Sequence, residues 1–401
     1  MPKVNPEILQ WARETAGLTL SEAAKKIGLR EARGESPESR LTSLESGTTE
    51  PSRPLLLKMA KQYRRPLLVF YMKEPPRKGD RGQDFRTLPG TYPAFINGQI
   101  DALIRDVKAR QGILRSVIED DEDDINLSFV GSITTEVDTS SVVTLLKKEM
   151  DFNNVEDFYD RNDATDAFNF LRAIVEKTGV FVLLIGDLGS YHTAFSVDVF
   201  RGFTVSDKIA PFIIINDNDS KAAWSFTLIH ELVHLWLGYS GISGSYSENR
   251  IEKYCNSIAS EFLLPKEVLS SFTLENQEEY KSLRDNISDF AYSRNLSSSM
   301  VAYRLYLTSR IDRETWMQLN SDYKNFWLDY RRSEKEKRRG SEGGGPTYYV
   351  VRRHRLGENL ISQVQQMIYG GDLTTTKAST VLGVAPKNVQ NLFQEHSSVN
   401  S

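Results

Sequence analysis

Histidine is scarce in this chain, with five in all, yet two stand four residues apart in the run Phe226 to Gly238, FTLIHELVHLWLG. Side chains at i and i+4 share one face of a helix, so His230 and His234 can hold a single metal ion through their imidazole nitrogens. Glu231 follows the first histidine and can reach a water on that metal. Zinc lowers the pKa of such a water towards about 7. A carboxylate can take its proton and later pass it to a leaving amine. The chemistry this predicts is metal-assisted hydrolysis of a peptide bond, with Glu231 catalytic and Zn2+ as cofactor, although manganese or another divalent ion suits the same donors. Leu228, Leu232, Val233 and Leu235 are uncharged, as expected for a helix buried against a sheet with only its metal face open. His192, His354 and His396 have no comparable company; of these, His192 lies nearest the motif and is a candidate for binding substrate.

A tetrahedral catalytic site needs a third protein ligand and one open position. The next helical stretch, IEKYCNSIASEFLLP at 251–265, offers Glu252 eighteen residues past His234, with Asn256 one turn later. A ligand carboxylate with an i+4 side-chain partner is a sound supporting arrangement. Glu248 competes evenly with Glu252 on spacing, and Glu261 competes on distance alone. Cys255 reads as a buried structural cysteine. For the oxyanion of a tetrahedral intermediate, Tyr239, Tyr246 and Tyr254 are near in sequence, none preferred.

The elements that must position these groups follow from periodicity and punctuation. Helices are predicted over Ala164 to Thr178, from an Asp219 or Ser220 cap through Trp224 to Leu237, and over roughly 249–264 and 276–330. Val180 to Ile185, Ala194 to Val205 (containing Arg201-Gly202-Phe203) and Ala210 to Asn216 read as strands. Ala210 to Asn216 and the neighbouring Arg201 to Val205 are candidates for the sheet edge that would receive an extended substrate. Further upstream, 77–90 reads as a loop, Asn97 to Ile118 as an amphipathic helix, and the acidic run Glu119 to Asp124 as a solvated turn, since it lacks the spacing of a calcium loop.

Residues 1–75 read as a helical unit. Apolar spacing marks a helix from Pro6 to Ala16, a second from Leu20 to Ile27 with a Thr19/Glu22 capping box, a third holding Leu41 and Leu44, and a fourth from Leu55 to Tyr63. Two short helices about a glycine turn form the helix-turn-helix pattern. The third helix would offer Arg40, Thr42 and Ser43 to DNA, but also Glu45. This stretch has 13 Lys and Arg against nine Asp and Glu, a mildly basic balance. At the other end, 331–346 reads as a charged, glycine-rich linker, and LTTTKASTVLGVAPKNVQNLF within 347–401 again looks like helix-turn-helix.

Two resemblances sharpen these readings. GLTLSEAAKKIGL and LTSLESGTTEPSRPLLLKMAKQY resemble the Xre (Cro/repressor-like) family, departing from it at 30–38, where REARGESPE lengthens the turn. Residues 199–265 resemble the ImmA/IrrE family of bacterial and phage metallopeptidases, in which a strand, a His-Glu-x-x-His helix and a helix with Glu-x-x-(Ala/Cys)-Asn follow one another. That resemblance makes Glu252 the third ligand and places Cys255, Asn256 and Leu264-Pro265 at the family's small residue, asparagine and terminus. It implies cleavage of a partner protein, often a repressor, in stress, phage or toxin–antitoxin settings.

The expected fold class is α+β and mostly helical: an N-terminal helix-turn-helix bundle followed by a zincin-like domain with a small sheet packed on the motif helix. The expected organisation is 1–75 Xre-like, 76–160 helical connection, 161–330 metallopeptidase, 331–346 linker and 347–401 C-terminal helical region. A length of 401 residues suits two or three domains. No apolar run approaches the roughly 20 residues of a membrane span, the N-terminus lacks a secretory pattern, and a single cysteine fits a reducing compartment, so a cytoplasmic location is expected. The net charge of −4 carries no argument for nucleic-acid binding by the whole chain. The expected activity is a regulatory zinc endopeptidase acting on a regulator or antitoxin, with DNA and a second copy of the chain as further partners. The rival is a DNA-binding regulator or toxin–antitoxin component whose zinc domain does not cleave, and a zinc esterase shares the same motif.

Overall fold

Two units divide the chain, Met1–Lys108 and Ala109–Ser401. The computed structural model describes residues 3–32, 34–76, 92–120, 126–243, 250–273, 280–339 and 347–397. The 77–90 loop, Asp121 to Asp124, Tyr246 and Glu248 lie outside these residues.

In the first unit, helices α1 (Pro6–Thr15), α2 (Leu20–Ile27), α3 (Pro37–Glu45) and α4 (Arg53–Tyr63) are followed by a 3-10 turn at Leu67–Tyr71, and α5 (Ala94–Asp120) begins here and continues into the second unit. The α2 start is a reciprocal cap: the Glu22 amide donates to Thr19 Oγ1 at 3.3 Å, and the Thr19 amide donates to Glu22 Oε2 at 2.9 Å. Ile8, Leu9, Ala23, Ile27, Leu41, Leu56 and Met59 close one apolar core. The long turn between α2 and α3 folds on itself through paired backbone bonds between Ala32 and Glu35. Glu45 is not offered outward as the spacing suggested. It accepts both Arg13 Nε at 2.7 Å and Nη2 at 2.9 Å beneath the surface, and a planar guanidinium fork fits a carboxylate in this way. Glu45 is therefore paired below α3, which leaves Arg40, Thr42 and Ser43 on that helix. Thr42 is exposed, and Arg40 donates to the Arg30 carbonyl at 2.5 Å.

The second unit continues with α6 (Thr139–Glu149), α7 (Glu156–Tyr159) and α8 (Ala164–Lys177), then β1 (Phe181–Leu184), β2 (Gly202–Val205), β3 (Phe212–Ile215), α9 (Lys221–Trp236), β4 (Gly241–Ser243) and α10 (Arg250–Leu263). After these come α11 (Lys266–Leu269), α12 (Tyr280–Tyr292), α13 (Ser298–Leu307) and α14 (Arg313–Arg339). The last helices are α15 (Tyr348–Leu356), α16 (Glu358–Gly370), α17 (Thr375–Leu382) and α18 (Val389–Ser397). Strands β1, β2 and β3 are buried, and with β4 they form a sheet in the order β1-β3-β2-β4, parallel only between β1 and β3. Mostly helical secondary structure around this small sheet is the architecture expected.

Four local expectations need correction. Neither β2 nor β3 is an edge; each has a strand on both sides, and β4 and β1 close the sheet. The predicted strand from Ala194 is extended only from Gly202, because 194–201 is spent on turns such as Val199 N to Ser196 O, assisted by the Ser196 hydroxyl. The helical stretch expected over roughly 276–330 is not continuous: it is three helices, separated at Asn295 and Ser309, both at positive φ. Finally, α14 runs through Arg339, nine residues into the expected linker. An element not anticipated is α6, capped by Asp138 accepting the Ser141 amide. Its Val142, Val143 and Leu146 enter the same core as α8, α9 and α10.

The C-terminal helices cover β1. Buried Arg172 on α8 donates to Glu176 at 3.0 Å, to the Val182 carbonyl on β1 and to the His354 carbonyl at 2.6 Å. Arg355 pairs with Asp217 at 2.7 Å and Asp187 at 3.0 Å. The His354 ring lies 6.1 Å from that of Trp224 on the motif helix. Burial, then the neighbouring Arg172, Lys221 and Arg355, push the His354 imidazole down to about 4. A depressed folded-state pKa means that the unfolded chain, titrating near 6.5, binds the proton first. Stability is therefore complete above about pH 6.5 and falls as pH drops towards about 4. His354→Gln should flatten the melting temperature across that window; an unchanged slope would remove His354 as the cause.

Candidate metal centre

Helix α9 is apolar on nearly every side, with Leu228, Ile229, Leu232, Val233 and Leu235 almost wholly buried between α8, α10, β2 and β3. A helix hydrophobic all round belongs in the core, and this fixes which side its polar groups leave by. Ser220 occupies the N-cap position without a side-chain cap bond, while Asp219 accepts the Ser220 amide at 2.8 Å and Arg201 at 2.5 Å. Gly238, at φ 74°, ends the helix, and the Tyr239 amide donates back to the His234 carbonyl at 3.0 Å.

Helix α10 packs along α9 through Cys255, Ile258, Ala259 and Phe262 and brings Glu252, in its first turn, onto the two histidines. His230 and His234 Nε2 are 3.1 Å apart. Glu252 Oε2 lies 3.2 Å from His230 Nε2, and Oε1 lies 3.4 Å from His234 Nε2. All three side chains are largely buried. Lone-pair donors converging in a low-dielectric pocket repel unless a cation or shared protons lie among them. Bonds of about 2.0–2.1 Å in a tetrahedral set put neighbouring donor atoms about 3.3–3.4 Å apart, which is close to the separations here. The donor set therefore fits a divalent ion. Burial opposes ionisation of Glu252, but the imidazoles of His230 and His234 outweigh it and hold the carboxyl below its usual range. The ligand acid is thus held as the anion that a cation requires.

Glu231 is fully buried, and with His230 and Asn256 it lines a cleft of ≈ 600 Å³. Asn256 sits one turn after Glu252 and is also buried. Burial, together with the nearby carboxylates Glu252 and Glu231, raises the Cys255 thiol well above its ordinary value, so it stays protonated within the core. His192 is exposed on a short 3-10 turn and is not among the cleft-lining residues. Tyr254 donates to the Val137 carbonyl at 2.7 Å, and neither it nor Tyr239 lines the cleft. Glu261 is taken by Arg304 at 2.5 Å.

Sequence reasoning missed the cleft's far wall. It comes from α12, α13 and α14, with Tyr292, Met300, Tyr323, Phe326 and Trp327 facing the cavity. Tyr292 and Phe326 are 88% and 75% exposed, so this wall presents apolar ring surface to whatever enters the cleft. Lys324 bridges to Asp198 on the opposite wall at 2.7 Å. The aromatic spacing along 316–330 was the available signal, and it also fits an ordinary amphipathic helix.

Comparison with known families agrees with this geometry. Residues 181–306 match the peptidase family described as the IrrE N-terminal-like domain, a metallopeptidase family, and residues 9–70 match the family described as helix-turn-helix. No curated protein matches the chain, and no solved structure does.

Proposed function

We propose that this chain, which joins a helix-turn-helix domain to an IrrE-like peptidase domain, is a regulatory zinc endopeptidase that cleaves one partner protein. The observation carrying the proposal is the convergence of His230, His234 and Glu252 on one point, with His230 and the buried Glu231 lining a cleft of ≈ 600 Å³. His230, His234 and Glu252 would hold the ion. When bound, zinc supplies Lewis-acid polarisation of the carbonyl and acidifies water. Glu231 accepts the proton of the attacking water and returns it to the departing nitrogen. Asn256, buried one turn after Glu252 and lining the cleft, is assigned a supporting role beside that ligand. The partner is a regulator such as a repressor or antitoxin, in a bacterial stress, phage or toxin–antitoxin setting. The N-terminal domain, through Arg40, Thr42 and Ser43, brings the peptidase to DNA or to a DNA-bound partner. We assign residues 1–75 to that targeting role and 161–330 to the chemistry, with a cytoplasmic location.

A non-cleaving regulator built on the same two domains needs no general base at residue 231, and the buried glutamate there favours hydrolysis. Comparing new protein N-termini in cells expressing wild type and Glu231→Gln tests this directly. One or a few cleavage products confined to wild type support the proposal. Identical N-terminal profiles, with zinc bound in both, would return the chain to the regulator reading.

The aromatic wall gives a second expectation. Phe326→Ala combined with Trp327→Ala removes apolar contacts to substrate remote from the reacting atoms. It should raise KM for the partner about tenfold or more while leaving kcat within about twofold. A fall in kcat at unchanged KM would place these rings in a different role.

A further inference from the structure

Within the Arg201-Gly202-Phe203 run at the head of β2, Gly202 has no role in the account above, yet it sits against the base. An ideal Cβ at Gly202 would lie 2.8 Å from Glu231 Oε1, 2.9 Å from Glu231 Cγ and 2.6 Å from Thr227 Cγ2. All three separations are shorter than real Cβ contacts tolerate. Gly202 is not among the glycines at positive φ. It is regular ladder backbone, paired with Ile215 on β3 and Ser243 on β4. Backbone conformation therefore does not call for glycine here; the missing side chain is what matters. Both β2 and α9 are central to the core, so neither can retreat, and Glu231 is 0% exposed and enclosed.

We propose that Gly202 is the positioning residue for Glu231: the carboxylate occupies the space that a β-carbon on strand β2 would take. The inference rests on Glu231 being the general base of the proposed peptidase. Its physical content, a steric coupling between residues 202 and 231, does not depend on catalysis. An alanine would turn Glu231 away from the histidines while leaving His230, His234 and Glu252 in place, so it would uncouple base from metal.

The experiment is a double-mutant cycle on the full chain, read as melting temperature and as zinc content per chain. Gly202→Ala alone should lower the melting temperature by about 4–10 °C, as overpacking of a core does, while zinc content stays at the wild-type value. In a Glu231→Ala background two of the three close contacts are gone, and the same substitution should cost less than half as much. In a Glu231→Gln background, which keeps the shape, the full penalty should return. Equal penalties in the wild-type and Glu231→Ala backgrounds would overturn the proposal. So would a penalty relieved by Gln as well as Ala, or loss of zinc in Gly202→Ala from a wild type that holds it. Should Gly202→Ala be insoluble, recovery of soluble protein in Gly202→Ala/Glu231→Ala supports the coupling and continued insolubility overturns it. A wild type that binds no zinc would sink the peptidase reading and leave the cycle measurable.

Discussion

Glu231→Gln should leave the chain folded and zinc-loaded while slowing cleavage of its partner by about 10²–10⁴-fold. Glutamine keeps the volume of the buried side chain, so the packing against β2 survives. It loses the carboxylate's capacity to take a proton, on which both the attack of water and the departure of the amine depend. The loss should appear mainly in kcat, since the residue acts on the reacting atoms. Metal content by elemental analysis and the rate of partner loss in cells measure the two halves separately. A variant that keeps more than about a third of wild-type activity would show that another group carries the proton.

Glu252→Ala should act on the other half of the site. Two imidazoles without the carboxylate form a weak, open pair, and the substitution should abolish stoichiometric zinc at micromolar free metal. With zinc at about a thousand times its dissociation constant, binding contributes about 4 kcal/mol to the folded state. Wild type should then lose on the order of 10 °C of melting temperature when treated with a chelator, whereas Glu252→Ala should show almost no chelator effect. His234→Ala should behave the same way. Retention of one zinc per chain in Glu252→Ala would mean that the third donor lies elsewhere, and the chelator response would then stay as large as in wild type.

The legible parts of the site were those written in local spacing. An i, i+4 histidine pair on an uncharged helix needs no partner element to be seen, and α9 contains it within one residue of the expected ends. Glu252 was less legible. Spacing alone left it level with Glu248, and only the motif resemblance separated them; the structure brings Glu252 within 3.4 Å of both imidazoles. What escaped was set by contacts distant in sequence. Strand β4 is three residues long and depends on β2 for its existence. The order β1-β3-β2-β4 could not be read from three apolar runs of similar character. Helix α6 had a readable cap at Asp138, yet its union with the core of α9 and α10 depends on packing across more than seventy residues. Gly202 was named only as part of an expected strand, and its distance to Glu231 is what reveals a steric reason for glycine there.

Helix α14 begins at Arg313, beyond residue 306 where the matched peptidase segment ends, and it still contributes Tyr323, Phe326 and Trp327 to the cleft. On the proposed reading, part of the surface that would select a client therefore lies outside the matched segment that carries the ligands and the base. A stretch that supplies neither ligand nor base can change its surface without disturbing turnover. If the chain is the peptidase proposed above, grafting a different set of side chains onto the inner face of this one helix would retarget it, making the helix a natural position for diversification and a practical one for engineering.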